Sequence, residues 1–336
     1  MNRKISPATS VNPQRGAALI VALLVVATVV VLATTLSGDF LLMFRRVENQ
    51  LHSEQAYAYL LGAEGVARAA LLRDKQTGSA DDNLFEEWAK PQKFPTDYGW
   101  IAGQLEDLQG RFNLNSVVAK KQTGQPNPVA RDESQQILLR LLLALPLQQP
   151  LAGDEADALV DAITDWIDGD DNVSGLGGAE SQHYAAAEPP GLPANRALAS
   201  PSELMWVRGM TPEIYRALEG VVTVWPKTGG PINLNTAPAG VLAAINGPKT
   251  LVPLEPSVLD KLLAERKAKQ TLDIEAVNAL LTDQMDAAGK AQYGSESDYF
   301  QLTAQTEFLG RRYTLRSVLH RGKKDVRVVA RTFGEW

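Results

Sequence analysis

The most apolar part of the chain is a run near its N-terminus. Residues 17–36 read AALIVALLVVATVVVLATTL, and no charged residue occurs between Arg15 and Asp39. A helix of this length rises about 30 Å, which is the thickness of a bilayer core. The core helix of a soluble protein is rarely apolar on every face over such a distance. The pattern therefore predicts one membrane-spanning helix.

The charges on either side of this run predict its orientation. Arg3, Lys4 and Arg15 precede it without any acidic residue, and Asp39 follows it. Basic flanks stay on the cytoplasmic side of a membrane. The sequence therefore predicts a single-pass membrane protein with a cytoplasmic N-terminus and an exported C-terminal domain.

A helical stripe continues beyond the apolar run. Apolar residues recur at three- and four-residue steps from Phe40 to Leu72, with one seven-residue gap. This spacing is typical of one buried helix face. Because glycine suits a C-terminal cap, the helix is predicted to end over residues 75–78. From Ala17 to Arg73 such a helix would span about 85 Å.

Alternating patterns predict strands in two further regions. Residues 99–115 are predicted to form two short strands joined over residues 106–110, and residues 79–97 a loop. Three runs near the C-terminus predict three more strands, at residues 299–306, 312–321 and 325–332. The turns between them are predicted at residues 307–311 and 322–324. These five strands are expected to cover the exported half of the long helix.

Between these strands the period changes to that of short helices. The predicted helices are residues 133–145, 155–167, 201–207, 212–218, 239–245, 257–267 and 274–281. The predicted organisation is a leader (1–16), the transmembrane half of the helix (17–38), a first sheet-forming part (39–117), an inserted helical domain (118–295) and the C-terminal strands (296–336). The predicted fold class is α+β: a long N-terminal helix packed on a small antiparallel sheet, with a large inserted all-α domain.

Composition narrows the function classes. The chain has 336 residues, no Cys, three His and a formal net charge of -6. Without Cys it holds no Cys-ligated zinc, iron–sulfur cluster or disulfide. The acidic balance disfavours a general nucleic-acid binder, which carries a basic footprint. The sequence contains no G-x-S-x-G, Walker loop, dinucleotide fingerprint or H-E-x-x-H motif. The chain is predicted not to be an enzyme.

The junction between leader and apolar helix resembles a class III, type IV prepilin-like signal. A basic leader that ends in Gly16, followed directly by a helix from Ala17, is what a prepilin peptidase cleaves on the cytoplasmic face. The resemblance implies that the helix stays in the mature protein. The alternative is an ordinary secretory signal, whose cleavage site would follow the apolar run.

One residue departs from the pilin-like pattern. Those proteins usually carry Glu at mature position five, where this sequence has Val21. A carboxylate inside the bilayer costs about 3 kcal/mol unless it is paired. In pilins it meets the N-terminal amine of the subunit above. The apolar Val21 therefore indicates a subunit with none above it, at the tip of the assembly.

Several stretches taken together resemble one family, the type II secretion minor pseudopilin K (general secretion pathway protein K). They are GAALIVALLVVATVVVLA, LEDLQGRFNLNSV, AITDWIDGDD with GGAESQHY, PSELMWVRGMTPEIYRAL, PINLNTAP and the terminal strands. The resemblance covers nearly the whole chain. It implies a pilin-like fold whose inserted domain is SAM- or helix-hairpin-helix-like, together with cleavage by prepilin peptidase and methylation of Ala17.

The same resemblance implies a function and partners. Pseudopilin K joins pseudopilins I and J at the tip of the periplasmic pseudopilus, which serves the export of folded proteins across the outer membrane. Pseudopilin H and the major pseudopilin are further candidate partners. A bulky helical domain fits a tip position, because it would hinder further subunits from stacking above it.

An acidic segment of the helical domain predicts a cation site. Residues 165–172 read DWIDGDDN, and Glu180 follows a Gly-rich stretch. Calcium takes about 6–8 oxygen ligands. An EF-hand is a poor match because Val173 stands where the sixth-position glycine belongs. The alternative is a solvated loop in which an Asp caps a turn. The family resemblance implies calcium, with these candidate ligands: Asp168, Asp170, Asp171, Glu180 and, as a weaker donor, Asn195.

The stretch PINLNTAP leaves a second function open. It is predicted to open a helix with Asn235 or Thr236 as N-cap, and it also resembles the helix-hairpin-helix modules of DNA-uptake proteins. Phosphate binding would need a basic surface, whereas removal of three basic leader residues takes the net charge from -6 to -9. A structural hairpin is favoured, and no nucleic-acid partner is expected. The alternative function is a membrane-anchored periplasmic DNA-binding protein.

Overall fold

The computed structural model describes residues 14–78, 80–117 and 131–335. Its first element is helix α1 (Gln14–Thr77), of 64 residues. The predicted C-terminal end is confirmed, since the helix stops directly before Gly78, whose N–H donates to Asp74 O at 2.6 Å. The helix begins within the predicted leader, most of which lies outside the described residues. The chain divides into two compact units, one ending at Ala58 and one beginning at Tyr59.

The N-terminal unit exposes its apolar residues along α1. Leu19, Val21 and Leu36 are 64%, 59% and 68% exposed. Within the described residues, α1 is the one helix long and apolar enough to cross a membrane, with a mean hydropathy of 2.9 over its most apolar window. Apolar surface of this extent is unfavourable in water, so this part of the helix is suited to a bilayer.

In the second unit, the end of α1 carries a buried stripe. Leu60 and Leu71 are fully buried, and Glu64 is nearly so. The Glu64 carboxylate accepts hydrogen bonds from Ser317 Oγ at 2.6 Å and from Arg331 Nη2 at 2.7 Å. Burial acts to raise the pKa of Glu64, but these donors and the Arg331 charge outweigh it and the pKa lies below its ordinary value. The paired carboxylate therefore fixes the helix against the sheet.

The sheet explains where α1 packs. In chain order the strands are β1 (Gln92–Thr96), β2 (Gly99–Asp107), β3 (Phe112–Asn113), β4 (Val222–Thr223), β5 (Ile232–Asn233), β6 (Tyr293–Gly294), β7 (Tyr299–Phe308), β8 (Arg311–Arg321) and β9 (Val326–Glu335). Five of them form one antiparallel sheet in the order β1-β2-β7-β8-β9. The three predicted C-terminal strands are confirmed. On β8, one face carries Tyr313, Leu315, Ser317 and Leu319, which are all fully buried.

Two predictions about the first strands are wrong. Residues 92–96 form strand β1, although Pro91 and Pro95 indicated a loop. Proline is tolerated there because β1 is an edge strand, where a missing N–H breaks no second ladder. Residues 112–113 do not pair with β2 as a hairpin. They form β3, which pairs in parallel with β4 of the helical segment.

The helical segment is confirmed, with differences in detail. Its helices are α2 (Glu133–Leu143), α3 (Gly153–Ile167), α4 (Ser181–Ala185), α5 (Pro212–Glu219), α6 (Ala239–Ala243), α7 (Pro256–Lys269), α8 (Ile274–Ala279) and α9 (Ala287–Lys290). The predicted helix at 201–207 is a 3-10 helix, and α4 and α9 were not predicted. The segment is not purely helical, because β3–β4 and β5–β6 are short parallel pairs within it.

One continuous apolar core fills the helical segment. It includes Phe112, Leu114 and Val117 as well as residues of α2 and α3. The core thus takes in residues just before the predicted domain start at 118, which itself lies outside the described residues. The predicted boundaries at 118 and 295 stay predictions.

A buried polar network joins the helical segment to the sheet. Asp107, at the end of β2, accepts hydrogen bonds at Oδ2 from Thr236 Oγ1 (2.6 Å), Ser297 Oγ (2.6 Å) and Asn233 Nδ2 (3.0 Å). Burial raises the pKa of Asp107 despite these donors. Because Asn233 and Thr236 belong to the helical segment and Ser297 to the stretch just before β7, one carboxylate holds both stretches at the end of β2.

The same network corrects the prediction for PINLNTAP. Helix α6 begins after Pro238, so neither Asn235 nor Thr236 is its N-cap. Asn235 Oδ1 instead accepts the N–H of Leu272 at 2.7 Å, and Thr236 Oγ1 donates to Asp107 Oδ2 at 2.6 Å. The buried side chains in this stretch form hydrogen bonds with residues that are distant in the sequence. A capping rule considers only neighbouring residues.

Candidate functional site

The acidic segment begins where helix α3 ends. Asp168 is its C-cap residue, with an extended backbone (φ -69°, ψ 169°), and its N–H donates to Thr164 O at 2.9 Å. Helix α4 begins after Glu180, which occupies the N-cap position without a side-chain capping bond. The loop between the two helices therefore starts and ends on a carboxylate.

Three buried carboxylates converge at this loop. Asp165, Asp168 and Glu180 each present one oxygen atom, and these atoms lie within 4.8 Å of one another. The three residues are 0%, 8% and 3% exposed. Like charges this close in a buried place destabilise one another unless a cation or protons neutralise them.

Glu180 has the least favourable electrostatic environment of the three carboxylates. Both of its carboxylate oxygens are buried without a hydrogen-bond partner among the described residues. Burial first, and then the negative charges of Asp165 and Asp168, raise the pKa of Glu180 to about 7. A carboxylate that accepts no N–H or O–H is rare inside a protein and is typical of a site that receives a positive ion.

An amide oxygen adds a fourth donor. Asn195 Oδ1 is buried and has no hydrogen-bond partner among the described residues, whereas Asn195 Nδ2 donates to Asp170 O at 3.2 Å. The backbone of Asn195 is left-handed (φ 45°), a conformation that Asn tolerates better than most residues. Its N–H donates to Trp166 O at 3.0 Å, which holds the residue beside the end of α3.

Asp165 both belongs to the cluster and shapes the loop. Its carboxylate accepts the N–H of Ser174 at 3.0 Å, and burial raises its pKa. A Cβ at Gly178 would overlap Asp165 Oδ2, so only glycine lets the loop backbone come this close. Glycine at position 178 is therefore explained by its approach to this carboxylate.

The structure places two predicted ligands outside the cluster. Asp170 Oδ1 accepts the N–H of Asn172 at 3.1 Å, and the exposed Asp171 accepts the N–H of Ser181 at 3.1 Å. The Asp170 bond caps a local turn, as the solvated-loop alternative expected, whereas the Asp171 bond crosses the loop to the first residue of α4. Asp168 and Glu180 belong to the cluster together with Asp165, and Asn195 lies beside the end of α3. The ligand set itself stays a prediction.

Sequence reasoning missed Asp165 although the signal was present. Asp165 and Asp168 are three residues apart across the end of α3, a spacing that puts two side chains on one face. The acidic run was read as a loop motif, and its first member lies inside a helix. Burial of Asp165 on α3 is what separates it from the exposed acids that follow.

The donor set fits calcium. Three carboxylates and one amide oxygen are hard oxygen ligands, which Ca²⁺ prefers, and the described cluster offers neither His nor Cys for a softer metal. A divalent cation would neutralise the repulsion that raises the pKa of Glu180. What the arrangement can do chemically is to bind a cation and so tie α3 to α4.

A second acidic group, formed by Asp74, Asp82 and Glu86, is of a different kind. Arg321 Nη1 lies 2.6 Å from Asp74 Oδ2, and Arg321 Nη2 lies 2.6 Å from Asp82 Oδ1. The fully buried guanidinium supplies the positive charge here. This group is therefore an internal ion pair and not a candidate metal site.

The predicted processing and assembly residues lie at the start of α1. Gly16 and Ala17 fall in the first turn of the described helix, and the Val21 side chain is exposed. Cleavage between Gly16 and Ala17 and the role of Val21 stay predictions.

Comparisons with known proteins cover almost the whole chain. A family model described as "Type II secretion system (T2SS), protein K" matches residues 110–227. A type II secretion system protein K from Pseudomonas aeruginosa is 33% identical over 330 residues, spanning 96% of this chain and 93% of the relative. The protein of the same description from Aeromonas hydrophila is 32% identical over 334 residues, spanning 96% and 97%.

A solved structure shares the fold. It is described as the crystal structure of the GspK-GspI-GspJ complex from the type 2 secretion system of enterotoxigenic Escherichia coli. The match has a TM-score of 0.72 and 28% sequence identity, and it covers 87% of this chain and all of that one.

Proposed function

The chain belongs to the type II secretion system protein K family and is a minor pseudopilin of that system; from this premise we propose that it acts at the tip of the periplasmic pseudopilus. One observation carries the proposal, namely that relatives described as protein K match 96% of the chain, from the apolar helix to the last strands. The match covers the anchor, the sheet and the helical segment together.

Pseudopilins I and J are the proposed partners. The structural neighbour is described as a complex with those two proteins, and it matches this chain at a TM-score of 0.72. The chain is proposed to act as a structural component that promotes the export of folded proteins, and not as an enzyme. The DNA-uptake alternative is not favoured, because PINLNTAP is engaged in internal hydrogen bonds of the helical segment.

The apolar half of α1 is the proposed inner-membrane anchor. We propose that prepilin peptidase removes the leader after Gly16 and that Ala17 becomes the methylated N-terminus. Val21 supports the tip position, since an apolar residue there requires no amine from a subunit above. The exposed, uncharged stretch from residue 17 to residue 36 supports the anchor.

Calcium binding at the acidic loop is proposed on the geometry of the cluster. Asp165, Asp168 and Glu180 would hold the ion with Asn195 Oδ1. The ion would supply the positive charge that three buried carboxylates lack. These residues themselves position the start of α4 and the Gly-rich loop against α3.

The decisive experiment is reconstitution with pseudopilins I and J of the same organism. The full chain, solubilised with its anchor, is expected to co-purify with both as one complex in size-exclusion chromatography. In cells, deletion of its gene is expected to stop secretion of type II substrates, and the wild-type gene to restore it. Normal secretion without the gene, or failure to join either partner, would refute the proposed function.

A further inference from the structure

Arg140, on helix α2, places a positive charge inside the helical segment. Its side chain is 2% exposed, and Nη1 donates to the backbone carbonyls of Gly247 at 3.0 Å and Thr250 at 3.2 Å. Nε is buried and has no hydrogen-bond partner among the described residues. No carboxylate of those residues forms an ion pair with this guanidinium. A buried charge of this kind destabilises the fold unless an opposite charge lies beside it.

Arg321 shows what Arg140 lacks. Both side chains are 2% exposed. The Arg321 guanidinium contacts the carboxylates of Asp74 and Asp82, each at 2.6 Å, so two negative charges accompany it into the interior. Arg140 has only the partial charges of two carbonyl groups. Its environment therefore calls for a negative charge that the described residues do not supply.

The Arg140 side chain lines a small cavity between α2, the turn that follows α6, and strand β6. The side chains that matter here are Ile137, Arg140, Pro248, Met285 and Tyr293. The cavity has a volume of about 10 Å³, which is about the least that holds one water-sized ligand. A ligand of about one heavy atom fits this space, and a polyatomic one does not.

Tyr293 provides a second donor at the cavity. Burial raises the pKa of its hydroxyl to about 12, so the group keeps its proton at neutral pH. The charge of Arg140 acts on the same pKa in the opposite direction, which places the two side chains close together. No described residue accepts a hydrogen bond from this hydroxyl. A water molecule could accept from both donors, but it would leave the charge of Arg140 uncompensated.

The rim of the cavity limits the charge of the ligand. Glu133 and Asp286 lie there, and Asp286 accepts the N–H of Gly289 at 2.9 Å. These carboxylates repel sulfate or phosphate more strongly than an ion with one negative charge. The guanidinium in turn repels a metal cation. Size and charge together select a monatomic anion with a single charge, of which chloride is the common example.

We propose that Arg140 and Tyr293 hold a chloride ion in this cavity. The ion would accept hydrogen bonds from Arg140 Nε and from the Tyr293 hydroxyl, and it would neutralise the guanidinium. Because Arg140 lies on α2 and Tyr293 on β6, the ion would link the first and last parts of the helical segment. This site is separate from the acidic loop, and it goes beyond the proposed function because it does not depend on pseudopilin partners.

The test follows thermal unfolding of the full chain in dodecyl maltoside micelles by tryptophan fluorescence. Sodium chloride replaces sodium gluconate at constant ionic strength and saturating calcium, and gluconate is too large for the cavity. Chloride is expected to raise the Tm of the wild type by about 2–4 °C. Arg140→Met removes both the charge and the Nε donor and is expected to lose this gain.

The matched control is Arg266→Met. Arg266 Nη1 also donates to two backbone carbonyls, those of Leu234 and Ala237, and burial likewise lowers its pKa. Arg266 does not line the cavity. The variant is expected to have a lower Tm in both salts and to keep the full gain from chloride. A general effect of salt on the fold would act on both Arg variants alike.

Tyr293→Phe keeps the test decisive if Arg140→Met does not fold. It removes only the hydroxyl and is expected to raise the Kd for chloride about tenfold, as the loss of one hydrogen bond to a charged group does. The NMR line width of chloride, measured on the same samples, reports binding directly. Equal Tm in chloride and gluconate, or a gain that Arg140→Met and Tyr293→Phe retain, would mean that the cavity holds water only and would overturn the proposal. Loss of the gain in Arg266→Met would also overturn it.

Discussion

At the scale of single residues, the environment of Glu180 is the strongest argument for the proposed cation site in the acidic loop. Its carboxylate is buried, accepts no hydrogen bond from the described residues and faces Asp165 and Asp168. Burial and those charges hold its pKa at about 7. Either a proton or a bound cation would remove the unfavourable charge of this buried carboxylate. This environment supports the proposed cation site.

Calcium binding can be tested residue by residue in the full chain. Glu180→Gln and Asp168→Asn are each expected to weaken Ca²⁺ binding at least tenfold in isothermal titration, because each removes a convergent carboxylate. Asp171→Asn is the matched control, since that carboxylate is exposed and does not belong to the cluster of Asp165, Asp168 and Glu180. Loss of binding in the control together with normal binding in Glu180→Gln would reject this ligand set.

Asp82 gives a pH prediction. Burial raises the pKa of Asp82 to about 6 even though Arg321 pulls it down, so the folded chain binds this proton more readily than the unfolded chain does. Its contribution to the free energy of unfolding is therefore full below pH of about 4 and is lost as the pH rises through about 6. Asp82→Asn is expected to flatten the rise in stability between pH 7.5 and pH 5. The comparison uses urea unfolding with saturating calcium.

A control separates Asp82 from the other carboxylates. Asp97→Asn replaces an exposed carboxylate and is expected to leave the pH dependence unchanged. An identical slope in Asp82→Asn and in the wild type would contradict the assignment.

At the scale of elements, the sequence predicted best the helix and the strands in which the apolar pattern repeats over many residues. Helix α1 and strands β7–β9 could be predicted because each has many residues on one face, such as the buried Tyr313 and Leu315 of β8. Strand β1 was missed because Pro95 indicated a loop, although an edge strand tolerates proline. The pair of Phe112 with Val222 was missed because two-residue strands exist only through tertiary pairing, which no local pattern records.

The candidate site was predictable in part for the same reason. The acidic composition at Asp168 and Glu180 was visible in the sequence, and the structure brings those two together. Which acids point inward depends on where α3 ends. Asp165 is inside because it lies on the last helical turn, while Asp170 and Asp171 lie beyond it. Whether an acidic residue is a candidate ligand or a surface charge depends on its burial. Burial follows from tertiary packing and cannot be read from the local sequence.

Helix α1 carries the prediction about maturation. Gly16→Leu is expected to leave a longer, unprocessed, membrane-bound chain, because a bulky residue before the cut obstructs the peptidase. Gly38→Leu is the matched control, since a Cβ at Gly38 meets nothing within 4 Å. N-terminal sequencing and gel mobility measure both. Normal processing of Gly16→Leu, or a mature N-terminus beyond residue 36, would refute retention of the helix.

At the scale of the whole molecule, Asp107 decides how the helical segment is held on the sheet. Thr236, Ser297 and Asn233 all donate to its carboxylate. Asp107→Ala leaves these buried donors unpaired and is expected to lower the free energy of unfolding by about 3–5 kcal/mol. Hydrogen exchange should rise at residues 232–236 and 295–299.

The control for Asp107 is a charged residue near the same junction. Glu296→Ala removes an exposed pairing with Lys75 (3.1 Å) and is expected to cost no more than about 1 kcal/mol. If Asp107→Ala is equally mild, with exchange unchanged, the junction is held by apolar contacts and the polar network is secondary.

The pairing of β2 with β7 has a consequence for biogenesis. Residue 107 lies opposite residue 300, so β2 can pair with β7 only after the entire helical segment has been synthesised. Long-range pairing of this kind is slow, because the ends of a large loop must meet first. Until then, the edge of β2 that pairs with β7 is uncovered. A nascent chain halted before residue 299 would present that edge to holding chaperones and proteases.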